Sequence, residues 1–286
     1  TKRAPAEFPV RNERLRRLAQ AELKKIPGSP IAYWAPASAF HAFEKGIPLG
    51  DILNARIALA TGDNGRFIRA WPEISISDIG FGIRSINESV ASGAKWFPAN
   101  KGGEYRKWYG NNENTVNWFD DGAEVKSLID EATGRIRSHN YNGDYSFRES
   151  VTWSAVTSGQ FSVRYSQPGF LFVTPGSSAF KRESDIDLRA VETFLISKVA
   201  DYLLRLISAT VNIEVGDILR IPYFPVSHHA VELAVSAIER TRSDWDAYER
   251  SWDFQSLPLL TASSDATPTL ESSYTAWNSQ NRDTIA

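Results

Sequence analysis

The chain has 286 residues, 42% of them hydrophobic and 23% charged, with a formal net charge of -2. That balance suits a globular protein with ample apolar material for a core, in one large domain or two smaller ones. Zero cysteine excludes disulfides and cysteine-ligated zinc, and the longest apolar run, 191–211, is interrupted by Glu192, Lys198, Asp201 and Arg205, which excludes a membrane-spanning segment. The basic amino terminus has no hydrophobic stretch behind it, so the expected location is the cytoplasm. Zero methionine, with Thr at position 1, suggests a fragment of a longer protein.

Residues 11–25 predict a helix, because Leu15, Leu18, Ala19, Leu23 and Ile26 fall near a 3.6-residue period among Arg, Glu and Lys. Pro27-Gly28-Ser29-Pro30 ends it. Over 46–71, short apolar runs broken by Gly62, Asp63, Asn64 and Gly65 predict strands joined by a tight turn, with Asn64 and Gly65 supplying positive φ. Residues 108–148 are dominated by turn chemistry, with a short helix at 124–131 that places Val125, Leu128 and Ile129 on one face. Residues 151–156, 161–165 and 170–173 predict an antiparallel meander, with Phe161, Val163 and Tyr165 on one face and Ser162 and Arg164 on the other. The clearest helix is 189–207, with one apolar stripe of Val191, Phe194, Leu195, Val199, Tyr202, Leu203 and Leu206. Ser227 is the predicted cap of a helix running through Val231, Ala234, Val235 and Ile238 toward Trp245. A Ser/Thr-rich linker at 261–269 leads to a last short helix near Tyr274 and Trp277. The fold class is therefore α+β: a β-rich unit at 46–225 between a helical lead-in at 1–45 and a helical region at 226–286.

The most informative stretch is Lys95-Trp-Phe-Pro-Ala-Asn-Lys-Gly-Gly-Glu-Tyr-Arg-Lys-Trp-Tyr-Gly-Asn-Asn112. Lys95, Lys101, Arg106 and Lys107 against Glu104 leave a local charge of +3 on a chain whose net charge is -2. Cations for phosphates, with Arg and Asn for base edges, point to nucleic acid. The alternative is a surface loop pinned to the core by its rings. The string itself resembles a signature of the PglX family, the adenine-specific DNA methyltransferases of BREX phage-defence systems, which are similar to type IIG restriction-modification enzymes. Further segments match the family in order: Lys25-Ile-Pro-Gly-Ser-Pro-Ile-Ala-Tyr-Trp34, Ala60-Thr-Gly-Asp-Asn-Gly-Arg-Phe-Ile-Arg-Ala-Trp71, Glu149-Ser-Val-Thr-Trp-Ser154, Val211-Asn-Ile-Glu-Val-Gly-Asp-Ile218 and Asp244-Trp-Asp-Ala-Tyr-Glu-Arg-Ser-Trp-Asp-Phe254. The resemblance spans about residues 22–260.

That resemblance implies, for the whole enzyme, methyl transfer from S-adenosylmethionine to an adenine flipped out of a specific duplex sequence. Family members carry a glycine-rich cofactor motif and an Asn-Pro-Pro-Tyr motif in a preceding domain, and this chain contains no Asn-Pro or Asp-Pro dipeptide. The expectation is a C-terminal target-recognition region for double-stranded DNA, with no cofactor of its own and with the N-terminal methyltransferase domain as its partner. Two other readings stay open. One is an interaction module that docks other BREX proteins or is bound by a phage DNA-mimic inhibitor. The other is the specificity region of a type IIG enzyme with a nuclease in its amino-terminal half.

On the target-recognition reading, Lys95, Lys101 and Lys107 neutralise phosphates, while Arg106, Asn111, Asn112 and Arg148 read base edges, with Asn100 and Arg164 as further contacts. The turn carrying Asn64, Arg66 and Arg69 approaches the DNA backbone. Trp108 and Tyr109 hold the loop rigid. Asp78-Ile-Gly-Phe-Gly82 imitates a cofactor turn without the patterned helix that should follow it. His41, His139 and the pair His228-His229 show no metal-ligand spacing. Asp244, Asp246, Glu249 and Asp253 around Trp245 and Trp252 read as a helix end packed by its two indoles rather than as a catalytic carboxylate pair.

Overall fold

The computed structural model describes residues 18–156, 159–182, 185–208, 210–263 and 265–285. Most of the predicted 11–25 helix lies outside these residues; what remains of it is one turn, α1 (Gln20–Leu23). Ile26 then drops into a buried cluster with Ala32, Phe40 and Leu206. Phe40 belongs to α2 (Ala37–Lys45), whose start at Pro36 had no polar cap to betray it. After β1 (Ile47–Pro48) and α3 (Leu49–Ile52), the chain enters β2 (Leu53–Arg56).

The turn at 61–66 departs from its expected form. Gly62 supplies the positive φ (75°), and Asp63 caps α4 (Asn64–Phe67) by accepting from the backbone N–H of Arg66 at 3.1 Å. Asn64 and Gly65 are thus helical, because a capping Asp favours a helix start over a hairpin turn. β3 (Ile68–Ala70), α5 (Ile86–Ser92), β4 (Trp96–Asn100) and β5 (Asn114–Asn117) follow. The helix expected at 124–131 ends earlier, as α6 (Phe119–Lys126), with left-handed Asp120, Asp121 and Gly122 inside it. Gly122 is required there: a Cβ would fall 2.8 Å from the Trp118 ring. Ile129 instead pairs with Ile136 across an isolated bridge.

Two four-stranded sheets organise the core. The first has the order β2-β9-β6-β7, where β6 is Ser150–Ser154, β7 is Val163–Ser166 and β9 is Gly176–Lys181, all antiparallel. The second has the order β3-β5-β4-β8, antiparallel except for β4 against β8 (Leu171–Phe172). The expected meander therefore holds for its first pair only. Its third strand leaves to join the second sheet, and β9, unforeseen, takes the place beside β6.

Leu53, Ala55, Val151, Trp153, Val163 and Ala179 on one face of the first sheet pack with Val191, Leu195, Leu203, Leu204 and Ile218. These come from α7 (Leu188–Leu195), α8 (Lys198–Ile207) and α9 (Val215–Leu219). The single 189–207 helix is thus two. Ser197 breaks it by capping α8, its hydroxyl accepting from the Ala200 N–H at 3.1 Å. The break rotates the apolar stripe, so Ala200, Leu203, Leu204 and Leu206 are buried while Val199 is 59% exposed. In the second sheet Ile68, Phe97, Ala99, Val116 and Leu171 form a separate core with Trp118 and Phe147.

β10 (Pro222–Tyr223) pairs with β1, and α10 (His228–Asp246) starts where expected, with the Ser227 hydroxyl accepting from the Ala230 N–H at 3.2 Å. α11 (Pro258–Thr261) and α12 (Leu270–Ile285) complete the chain; the last is 16 residues, longer than the short helix expected. The mixed α+β class stands. No helix among the described residues is long and apolar enough to cross a membrane.

The α8 stripe makes a test. Leu203→Asp places an unpaired charge in the core and is expected to cost about 3 kcal/mol or more, whereas Val199→Asp, exposed in the first turn of α8, should stay within about 0.5 kcal/mol. Urea unfolding of both variants measures this; equal effects would put the stripe elsewhere.

Candidate nucleic-acid interface

The 95–112 segment begins as β4 and then crosses to the first sheet. Asn100 is buried and donates through Nδ2 to Ser166 Oγ at 2.7 Å. Gly102 and Gly103 follow with φ of 85° and 135°. A Cβ on Gly102 would lie 3.1 Å from Ser154 Oγ and one on Gly103 2.9 Å from the Asn111 side chain, so the glycine pair is what lets this loop lie against β6. Asn111 closes the loop, donating through Nδ2 to the carbonyl of Glu104 at 2.9 Å.

Two of its cations, Arg106 and Lys107, turn inward. Arg106 donates through Nε to the Tyr109 carbonyl at 3.1 Å, pairs with Asp244 and sits 5.0 Å over the Trp245 ring. Lys107 donates to the Ile196 carbonyl at 3.3 Å, at the negative end of α7. Trp108 is hydrogen-bonded through its backbone to β7: its N–H donates to Val163 and its carbonyl accepts from Tyr165 at 2.8 Å. That covers the open edge of the first sheet. Tyr109 is buried, and its hydroxyl shares a hydrogen bond with the side chain of buried Asn112. Trp108 and Tyr109 do hold the loop in place. Lys101 is half-buried.

Arg164 corrects the expectation of an outward cation: it is 2% exposed. In register Arg164 faces Thr152, which faces Ser178, so the polar face of β7 belongs to a sheet surface that is itself covered. Burial pulls the guanidinium pKa down to about 10, against the raising influence of Glu192. Glu192, on α7, is 0% exposed. Its Oε1 accepts from the Tyr165 N–H at 2.9 Å, while Oε2 has no partner among the described residues. Burial pushes this carboxyl well above the usual range.

A different group of the expected residues comes together on the second sheet. Register places Arg69 opposite Thr115 and Thr115 opposite Pro98, with Asn117 opposite Trp96, all on the face away from Ile68, Val116 and Phe97. The Arg69 guanidinium lies 5.9 Å from the Trp96 ring centre and the Lys95 ammonium 6.0 Å from it. Arg66 holds Glu124 at 2.5 Å, and Glu124 also accepts from Asn117 Nδ2 at 2.8 Å. The bond from Arg66 lowers the Glu124 pKa and keeps it ionised. Arg66, Arg69 and Lys95 against Glu124 leave a local charge of +2. Exposed Asn64 stands at the start of α4, accepting from the Thr61 hydroxyl at 2.7 Å. The sequence reading missed Trp96 as the centre of this group and Asn117 and Glu124 as its members, since only strand register unites them.

Arg148 is exposed and lies at the Tyr145 ring, which Arg56 also covers at 4.4 Å. At the glycine turn, a Cβ on Gly80 would fall 2.5 Å from the Phe97 ring, so this glycine serves the packing of the second core, while Gly82 has open space where a Cβ would lie. His228 and His229 each lie by Glu232, and the described residues hold no group of three or more His, Asp or Glu placed for a metal. Trp245 is buried at the end of α10, as expected of a packing indole. Trp252 instead contacts Phe81 and Phe170 at the surface.

No protein-family model matches the chain. It is 41% identical over 268 residues to a protein of Lacticaseibacillus casei (strain Zhang) named adenine-specific methyltransferase PglX, covering 92% of this chain and 22% of that protein. It is 36% identical over 245 residues to one of Escherichia coli O9:H4 (strain HS) named adenine-specific methyltransferase BrxX, covering 84% of this chain and 19% of that protein. The chain spans about a fifth of the length of the curated relatives it matches.

The buried carboxyl gives a pH test. A carboxyl whose pKa is higher folded than unfolded contributes stability that is fully present below its unfolded value, about 4.3, and lost as pH rises through the folded value. Glu192→Gln removes that loss, so the difference in melting temperature should move in the variant's favour as pH is raised from 4 to 8. A difference independent of pH would mean that Glu192 titrates normally.

Proposed function

The chain belongs to the PglX family, and we propose that it is the part of such a protein that holds and selects duplex DNA, while the rest of the protein transfers a methyl group from S-adenosylmethionine to adenine. The observation that carries this is the pair of cations at Trp96, Arg69 and Lys95, with Arg66 of α4 joined to the same face through Glu124 and Asn117, each exposed or half-buried, beside the exposed turn of Asn64. Lys95, and Arg69 with one guanidinium nitrogen already on the Gly65 and Ile68 carbonyls, are held against the indole as positioned charges for phosphates. Arg66 and Asn64, at the start of α4, are the residue types that suit guanine and adenine edges. Asn100, Asn112 and Arg164, which are buried, and Arg106, Lys107 and Asn111, which are tied to the protein's own carbonyls and carboxylates, form the frame on which that surface rests.

Positioning and reading separate by experiment. Arg69→Ala or Lys95→Ala should weaken binding about equally for duplexes with and without the methylated site, and lower the salt slope by roughly one unit each. Arg66→Ala or Asn64→Ala should cost about 1–3 kcal/mol on the site and little elsewhere. Anisotropy titrations of the full-length protein at several salt concentrations measure both. Unchanged binding in all four variants would remove this face from the interface.

A further inference from the structure

Pro98, two residues along β4 from Trp96 and on the same face, is also part of the wall of a cavity of about 380 Å³. Three aromatic rings form one wall, beside Ile76, Gly82, Pro168 and Gly169. Phe81 and Phe170 flank Trp252, with ring centres 5.4 and 5.8 Å from it. One edge is polar: Arg242 donates to Gln167 Oε1 at 3.5 Å and pairs with Asp253 and Asp246, each at 3.4 Å. The volume is at the small end of the roughly 300–1,000 Å³ found for small-ligand sites, enough for one ring system.

We propose that this cavity takes up a single unpaired nucleobase, a site separate from any pocket in which the methylated adenine reacts. The inference rests on the DNA reading above. Three features favour a base. Phe81 is 38% exposed and Trp252 half-buried, which gives a flat ligand aromatic faces to stack on. The Gln167 amide, oriented by Arg242, offers a donor and an acceptor side by side, the pattern of a base edge. The single Arg242 charge is outweighed by the carboxylates of Asp246 and Asp253, so the cavity edge disfavours a phosphate and suits an uncharged ring. Arg69 and Lys95, further along the same sheet face, are in place to hold the phosphates of the strand that supplies the base.

The test uses the full chain and three probes: a duplex with one 2-aminopurine opposite an abasic position, the same duplex fully paired, and adenosine monophosphate. The unpaired duplex should bind more tightly than the paired one, with quenching of the 2-aminopurine. Phe81→Ala and Gln167→Ala, both at the surface, should each shrink that preference by about 10-fold and remove the quenching. Lys95→Ala should weaken both duplexes alike. Equal affinity for the two duplexes, or a preference untouched by both cavity variants, overturns the proposal and leaves the DNA reading standing. If neither duplex binds, the DNA reading fails. Saturable adenosine monophosphate binding lost in both cavity variants then upholds the base site, and no such binding overturns it.

Discussion

The backbone of Trp108, hydrogen-bonded to Val163 and Tyr165 on the edge of one sheet, and the side chain of Asn100, bonded to Ser166 from the end of a strand in the other, tie the two sheets into one frame. Between these points the chain lies flat against β6 and β9, which the positive φ of Gly102 and Gly103 and the missing Cβ of Gly176, 2.5 Å from the Asn100 carbonyl, together allow. On the far side Lys107 donates to the Ile196 carbonyl at the C-terminal cap of α7 and Arg106 reaches Asp244 on α10. The Asn100 contact is buried, and left unmade it would cost about 1–3 kcal/mol through an unsatisfied polar group, whereas the Arg106–Asp244 pair is open to solvent on the Asp244 side. The segment is therefore a brace between the sheets and the helices that cover them.

A brace built from cations looks, in sequence, like a ligand-binding loop. The local excess of +3 over 95–112 is real, yet a guanidinium stacked on Trp245 and paired with Asp244, or an ammonium at a helix C-terminus, is already neutralised. Charge free for a polyanion is found where strand register leaves it uncancelled. On the Trp96 face, Glu124 is bonded to Arg66 and Asn117 and is also felt by Lys95, so three cations face one carboxylate, and Arg69 flanks the indole while donating to the carbonyls of Gly65 and Ile68. The brace supplies the rigidity of that face through β4, which runs directly into it.

What the residues revealed of themselves was local. Ser227 followed by a long patterned run announced α10, and the alternation of Phe161 and Val163 announced a buried strand face. Longer strings carried the family. What stayed hidden depended on partners remote in sequence. β9, reading Gly-Ser-Ser-Ala-Phe-Lys, is buried on both faces and so has no alternation to detect. Arg164 sat on the polar side of its strand, and nothing in the strand said that the 100–112 segment would cover that side. Ser197 between two apolar stretches looked like a tolerated helical residue, although its capping bond separates α7 from α8. The Trp96 cluster needed the pairing of β3, β5 and β4, which no single strand encodes.

Hydrogen–deuterium exchange of the full-length protein, with and without a saturating duplex, measures which surface the DNA covers. Slowed exchange over 64–70 and 95–98, with 101–112 equally protected in both states, is the predicted result. Protection gained chiefly over 101–112, with 64–70 unchanged, would contradict it, because the segment would then be the contact surface and not the brace.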